Sequence, residues 1–489
     1  MHALSAPFPK ASPRGVLPAV AAMALAAGCA THPVAMQKAK ASLAAPAAPD
    51  FSAGAQPFTR AHMEGEDSLL WLQERARANQ LAGRIGQSSA DYDAAWDIYE
   101  KRDDEPVVSL ADAGTKAGSL LLSDLAIPYE GNAHERIMVP ALDAFNRIAS
   151  LDWDAAGADI RRLSRVGELE RDRNERRVAA AREASEKDGR FTFDDLRQTP
   201  AYVQYIGEAS AVAANLADAF QNGYAWYLAG FYHEMAGDPS AARTAYRRAL
   251  EIAAGNGVAR RDLARMEAVL AGSPEDRPGS GEADVVVFFE EGYAPRKETF
   301  SFLKTLGQQP VPVAVGPVVV SFHFPYYPKA QLEGFSAALQ IAEGGAVLAR
   351  TELVGDFRAL AQKAFEAQMP YVLTRAVLRA VAKSAAATVA NASVRKQGTG
   401  ARLAVWLGGL ILVSATDQPD LRSWLLLPRF GQVARFRIPA GAHDLVLSHG
   451  ANVATVPLDA PGGCTILLHA MSVDGRLAVE ATGFDLGLP

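Results

Sequence analysis

The stretch that most constrains the fold is 223–253, which has the pattern of two short helices joined by a tight turn at Ala236-Gly237-Asp238-Pro239. Small residues along both helices allow the two backbones to approach closely, and large aromatic residues fill the space beside them. A single hairpin of this kind cannot bury its own apolar face, so the stretch predicts neighbouring hairpins. The packing positions are Trp226, Gly230, Ala242, Tyr246 and Ala249.

These positions resemble those of a tetratricopeptide repeat (TPR), and two other stretches repeat part of the pattern. Ala95 and Tyr99 are spaced like Ala242 and Tyr246, and residues 151–156 resemble a turn followed by a second helix. The three hairpins are not in tandem, which predicts an irregular TPR-like α-solenoid.

The N-terminus has the pattern of an export signal. Lys10 and Arg14 precede the apolar run 16–27, which is too short to span a bilayer. Gly28 and Cys29 follow directly. The sequence therefore predicts a signal peptide over 1–28.

Cys29 follows Ala-Ala-Gly, a junction that resembles a bacterial lipoprotein box, although Leu25 lies one position further out than is usual. The resemblance implies that the Cys29 thiol is acylated, with palmitate among the expected chains. Ala30, rather than Asp, implies the periplasmic face of the outer membrane. Ordinary secretion with an incidental cysteine is the alternative.

Residues 29–67 are rich in Ala, Pro and Ser without a sustained period. This composition predicts a disordered tether with a reach of about 30–35 Å. The folded part would then stand clear of the membrane.

The sequence divides after the tether. We predict an α+β protein with a TPR-like helical domain over 68–271, a linker over 272–284 and a β-rich domain over 285–489. The β-rich domain is either an antiparallel sandwich or an open sheet, and a helical insertion over 356–415 interrupts it. The continuous β-branched and aromatic run Val285–Phe289 predicts a central strand.

Within the insertion, Met369-Pro370 predicts a break between two helices, and 403–413 predicts a buried helix. Residues 152–187 are dense in charge and predict a solvated helix, or a coiled-coil contact with a partner. Further strands are predicted over 298–303, 311–324, 335–343, 346–354, 434–438, 444–448, 451–457 and 464–471.

The first candidate binding segment is Pro128-Tyr129-Glu130-Gly131. Pro128 cannot donate a backbone hydrogen bond and Gly131 tolerates positive φ, so the chain must leave the helix here. Tyr129, Glu130 and Arg136 then lie on or beside a loop. We interpret it as a structural turn in which Arg136 pairs with Glu130; a ligand-facing loop is the alternative.

The second candidate segment is Asp420-Leu421-Arg422-Ser423-Trp424. Asp420 and Arg422 are expected to pair where the chain returns to the sheet, with Trp424 as an anchor. With Trp226 of the hairpin, these residues complete the candidate binding set.

The combination of the lipoprotein box, PYEG-x3-ER, repeat-like hairpins and DLRSW-x3-P resembles a family of uncharacterised bacterial lipoproteins with TPR-like N-terminal halves. Genes of that family tend to lie near those for penicillin-binding-protein-activator-type and curli-secretion-channel-type lipoproteins. The resemblance implies a role in the cell envelope, and it supplies no activity or catalytic residue.

The sequence contains none of the common phosphate-binding, zinc-protease or nucleophile motifs. His443, His449, His469 and Cys464 have irregular spacings, which favours separate histidines over a metal site. We therefore predict no metal, cofactor or catalytic residue. The formal net charge of −6, without a long basic run, argues against nucleic-acid binding.

These features together predict a lipid-anchored envelope scaffold or adaptor without catalysis of its own. Its expected partners are other envelope lipoproteins or envelope proteins, with the peptidoglycan machinery among the candidates. The alternatives are a peptidoglycan-acting enzyme, its direct activator, or a subunit of a secretion or surface-assembly apparatus.

Overall fold

The computed structural model describes residues 32–33, 35–41, 58–104, 124, 127–188, 197, 206–274, 276–301, 313–315, 318–320, 323–393, 419–473 and 475–484. The predicted signal peptide, Cys29 and the predicted helix over 403–413 lie outside these residues.

The first half of the chain is helical, as the sequence predicts, and the second half is rich in strands. The helices are α1 Arg60–Glu64, α2 Ser68–Leu81, α3 Ile85–Asp103, α4 Ala133–Ala149, α5 Trp153–Asp188, α6 Glu208–Ala213, α7 Gly223–Met235, α8 Pro239–Ile252, α9 Gly257–Leu270, α10 Lys329–Leu332 and α11 Phe357–Ser393. In the described part of the chain, no helix is both long enough and apolar enough to cross a bilayer.

The hairpin α7–α8 lies where the sequence predicts it. Asn222 and Asp238 accept hydrogen bonds from the first N–H groups of the two helices. A Cβ atom added at Gly230 would lie 2.5 Å from the Tyr246 ring, so only glycine allows this helix contact. Tyr246 is fully buried, and its hydroxyl donates to Glu234 at 2.7 Å.

The predicted tether is partly ordered. Residues 35–41 are helical, and Met36 is buried in the same core as Trp71 of α2. His32 Nε2 lies 3.1 Å from Glu74 Oε1. The apolar side of this short helix provides the contact that composition alone does not reveal, so the described residues 32–33 and 35–41 dock on the folded body.

The described strands form a five-stranded sheet, a four-stranded sheet and two two-stranded antiparallel sheets, β2-β5 and β3-β4. The bounds are β1 Glu282–Glu291, β2 Glu298–Ser301, β3 Val313–Val315, β4 Val318–Val320, β5 His323–Tyr326, β6 Gln340–Glu343, β7 Ala346–Arg350, β8 Glu352–Asp356, β9 Phe430–Pro439, β10 Gly441–His449, β11 Asn452–Ala460, β12 Thr465–Val473 and β13 Arg476–Phe484. The five-stranded sheet has the order β13-β12-β1-β9-β8, and the four-stranded sheet has the order β11-β10-β6-β7.

Strand β1 lies at the centre of a three-layer arrangement. Its alternate residues Val285, Val287 and Phe289 face the four-stranded sheet and form the sandwich core. Val286 and Phe288 belong to the core formed with the helices. A helical layer thus covers one face of the five-stranded sheet, and the four-stranded sheet covers the other.

A buried ion-pair network joins the helical layer to the sheet. Arg435 of β9 donates two hydrogen bonds to Glu234 of α7, at 2.9 and 2.8 Å. Its Nε donates to Asp284 of β1 at 2.7 Å. The helical and β-rich regions therefore share both an apolar core and buried charge.

The structure corrects several details of the prediction. Helix α11 continues through Pro370, where a break is predicted. Strand β1 pairs in parallel with β12, so the sandwich is not purely antiparallel. Strand β13 is an additional strand, and within 335–343 only the last part, β6, is extended in a sheet.

Candidate functional site

The segment 420–427 runs between the helical layer and the five-stranded sheet, and two buried carboxylates hold its backbone. Glu135 of α4 accepts a hydrogen bond from the Trp424 N–H at 2.9 Å. Glu74 of α2 accepts from the N–H groups of Leu425 at 2.7 Å and Leu426 at 3.1 Å. Hydrogen bonds to a charged acceptor are the stronger kind, so this segment is fixed firmly.

Arg422 is the charged centre of this segment. It forms the predicted pair with Asp420, through Nε at 2.9 Å and Nη2 at 2.8 Å. It also contacts the Asp67 carboxylate, and it donates to the Ile127 carbonyl oxygen at 2.9 Å. Its guanidinium lies 5.4 Å from the centre of the Tyr129 ring, within the range of a cation–π contact.

Trp424 is buried, as an anchor should be, and its ring centre lies 6.0 Å from that of Tyr92.

The PYEG segment forms an irregular loop that leads into α4. Gly131 has a φ of +76°, and a side chain there would clash with Tyr99. The Tyr129 hydroxyl donates to Glu135, the same carboxylate that holds Trp424. The two candidate segments therefore share one acceptor.

The predicted pairing of Arg136 with Glu130 is wrong. Arg136 points into the helical layer, where it pairs with Asp103 and Glu170. Glu130 lines the cavity described below and pairs with Arg177 of α5. The two side chains therefore have different partners, which sequence spacing does not reveal.

The two segments line one cavity of about 110 Å³. The lining includes Tyr129, Asn132, Lys297, Asp420 and Arg422. The other lining residues come from the loop before α4, from β5 and from helices α5 and α11: Asp124, Ile127, Pro128, Glu130, Gly131, Arg177, Pro325, Phe365, Gln368, Tyr371, Val372 and Arg375.

Lys297 is a site residue that sequence reasoning missed. It follows β1 in an ordinary polar stretch, and no motif marks it. Its half-buried Nζ donates to Asn132 Oδ1 at 2.9 Å and to the Arg422 carbonyl oxygen at 3.3 Å. Both acceptors are neutral.

The electrostatics of the cavity follow from these contacts. Burial lowers the pKa of Lys297, and Asp420 and Glu135 oppose that shift only in part. Burial alone would raise the pKa of Asp420, but Arg422 and Lys297 outweigh it and hold this pKa below its usual value. Burial alone would also raise the pKa of Glu130, but Arg177, Arg173 and other arginines outweigh burial and lower this pKa.

The other predicted residues lie elsewhere. Trp226 is half-buried on α7 and donates to Gln221 at 2.6 Å, away from the cavity. His443 pairs with Glu343, and His469 lies 3.3 Å from Glu290. Among the described residues, no three His, Cys, Asp or Glu side chains are grouped so as to hold a metal ion.

Comparison with protein-family models, with curated proteins and with solved structures finds no match for this chain.

Proposed function

We propose that this chain is a lipid-anchored adaptor of the bacterial cell envelope, which binds protein partners and catalyses no reaction. The observation that carries the proposal is the convergence of the PYEG and DLRSW segments on one cavity. These segments lie far apart in the sequence, yet Glu135 and Arg422 hold them together.

The charges of the cavity suit recognition better than chemistry. Arg422 is paired with Asp420, and Arg177 is paired with Glu130. Carboxylates held ionised by neighbouring arginines are poor proton donors and acceptors near neutral pH. A rigid set of paired charges can instead present a fixed pattern of donors and acceptors to a partner.

The docked residues 32–33 and 35–41 support a close anchor. Three peptide units separate Cys29 from His32, which lies against Glu74 on the folded body. A chain of this length spans about 10 Å at most. An acylated Cys29 would therefore hold the folded body against the bilayer surface, rather than at the distance expected of a long coil.

Site-specific photocrosslinking in intact cells tests the adaptor role. A photoreactive residue in place of Gln368, which lines the cavity, should give a discrete adduct with an envelope protein. The matched position is Arg247 on the exposed side of α8, whose side chain is 50% exposed. Adducts at neither position, or equal adducts at both, would contradict binding at the cavity.

Incubation of the purified protein with labelled sacculi tests the absence of catalysis. We expect no release of soluble fragments. Release that depends on Asp420 or Glu130 would assign the chain to peptidoglycan-acting enzymes instead.

A further inference from the structure

We propose that the cavity between the PYEG segment and the DLRSW segment binds a carboxylate group, carried by a small molecule or by the end of a peptide chain. This inference rests on the proposed function in one respect: the site binds rather than reacts.

The first support is the charge balance of the lining. Each of its three arginines has a carboxylate partner within the lining: Arg177 with Glu130, Arg375 with Asp124, and Arg422 with Asp420. Lys297 is the remaining cation of the lining. The formal charges of the side chains that line the cavity therefore sum to +1, and two further charged groups, Asp67 on Arg422 and Arg379 on Asp124, lie behind the lining.

The second support is the geometry of Lys297. Its two hydrogen-bond acceptors are neutral oxygens, and no carboxylate of the described residues lies within ion-pair distance of its Nζ. An ammonium group can donate three hydrogen bonds. Lys297 lines the cavity, so an anionic group bound there can accept the third hydrogen bond.

The third support is the size and polarity of the space. A cavity of about 150 Å³ accommodates benzene, so about 110 Å³ suits a carboxylate with a short carbon skeleton. Pro325, Phe365 and Val372 offer an apolar wall for that skeleton. One excess positive charge matches a monoanion better than a dianionic phosphate, because a second negative charge would face Asp420 without compensation.

Thermal unfolding of the mature, detergent-solubilised protein tests the inference, with N-acetylalanine as the probe and N-acetylalaninamide as its neutral isostere. At equal ionic strength, the acid should raise the unfolding temperature saturably and the amide should not. Equal shifts with the two compounds, or no shift with either, would overturn the inference.

Lys297→Met should weaken binding of the acid by about tenfold or more, because one charge-assisted hydrogen bond is lost. Lys101→Met removes an exposed lysine of α3 and should leave binding unchanged. Unchanged binding in Lys297→Met would also overturn the inference. If that variant fails to fold, the comparison of acid with amide in the wild-type protein decides.

The tetrapeptide Gly-Gly-Ala-Ala, with a free or an amidated C-terminus, distinguishes a carboxylate at the end of a peptide chain from the carboxylate of a small molecule. Tighter binding of the free peptide than of N-acetylalanine assigns the site to a chain end, and equal binding assigns it to a small molecule. Failure of these assays would remove the carboxylate site, whereas failure of the crosslinking in cells would remove the adaptor role.

Discussion

Glu135 accepts a hydrogen bond from the main-chain N–H of Trp424 at 2.9 Å, across 289 positions of sequence. The same buried carboxylate accepts from the Asn132 N–H at 3.1 Å and from the Tyr129 hydroxyl. One side chain thus fixes both segments that line the cavity, and its removal should affect both.

Glu135→Ala should lower the free energy of unfolding by about 3–5 kcal/mol, because it leaves several buried donors without an acceptor. Glu135→Gln should cost less, since the amide oxygen still accepts one hydrogen bond. Urea unfolding measures both. Glu251→Ala is the control, because that side chain is 56% exposed, and it should change stability by less than about 0.5 kcal/mol. A Glu135→Ala value close to the control would contradict the linking role.

Arg435→Met should also destabilise strongly, by about 3–5 kcal/mol, because it leaves Asp284 buried without the arginine it pairs with and leaves Glu234 with Arg265 alone. Arg437→Met is the matched control, since Arg437 lies two positions along the same strand and pairs with exposed carboxylates. It should cost less than about 1 kcal/mol. Equal losses in chemical denaturation would mean that the buried network does not join the two layers.

The buried carboxylates Asp143 and Asp159 predict a pH dependence of stability. Burial and Asp143 raise the pKa of Asp159 to about 7, and burial raises the pKa of Asp143 to about 6. The folded state therefore keeps protons that the unfolded state releases near its ordinary pKa of about 4. These protons therefore stabilise the folded state at low pH, and this stabilisation is lost as the pH rises from about 4 to 7.

Asp159→Asn should reduce the loss of stability between pH 4 and 7. At pH 8 it should raise the free energy of unfolding by about 1 kcal/mol or more, which is the equivalent of about one pKa unit. The amide oxygen can still accept from Arg162, which donates to Asp159 at 2.9 Å. Unfolding at a series of pH values checks the result, with the exposed Asp154→Asn as control. An unchanged slope in Asp159→Asn would refute the assignment.

Gly230→Ala should destabilise by about 1–3 kcal/mol, because the new Cβ would overlap the Tyr246 ring. Gly86→Ala, in α3, meets no atom within 4 Å and should be neutral or stabilising, since alanine favours the helix. Thermal unfolding of the two variants gives the comparison. Equal effects would show that the α7–α8 contact is less close than described.

The sequence predicts the structure best where the cause is local. The hairpin α7–α8 follows from Gly230 and Tyr246, and the loop before α4 follows from Pro128 and Gly131. These residues act on neighbours within a few turns of chain, so their spacing carries the information. The strand at 285–289 is equally clear, because a continuous β-branched and aromatic run suits a strand buried on both faces.

The cavity could not be predicted in the same way. Lys297, Tyr129 and Arg422 come together only through the packing of the helices on the sheet, and no sequence pattern records that packing. Pro370 shows a related limit: α11 continues through the proline, against its intrinsic preference, as tertiary context can override propensity. Docking of Met36 in the core likewise depends on a partner surface that composition does not show.

Both the proposed location of this protein at the membrane and the close approach of its folded body to the bilayer depend on the proposed lipid anchor. Mass spectrometry of the mature N-terminus, after expression in a bacterium that processes lipoproteins, tests it most directly. We predict an N-terminal peptide that begins at Cys29 and carries a thioether-linked diacylglycerol. A mature protein that begins elsewhere, or an unmodified Cys29 in the soluble fraction, would contradict the anchor and with it the proposed place of this protein at the membrane.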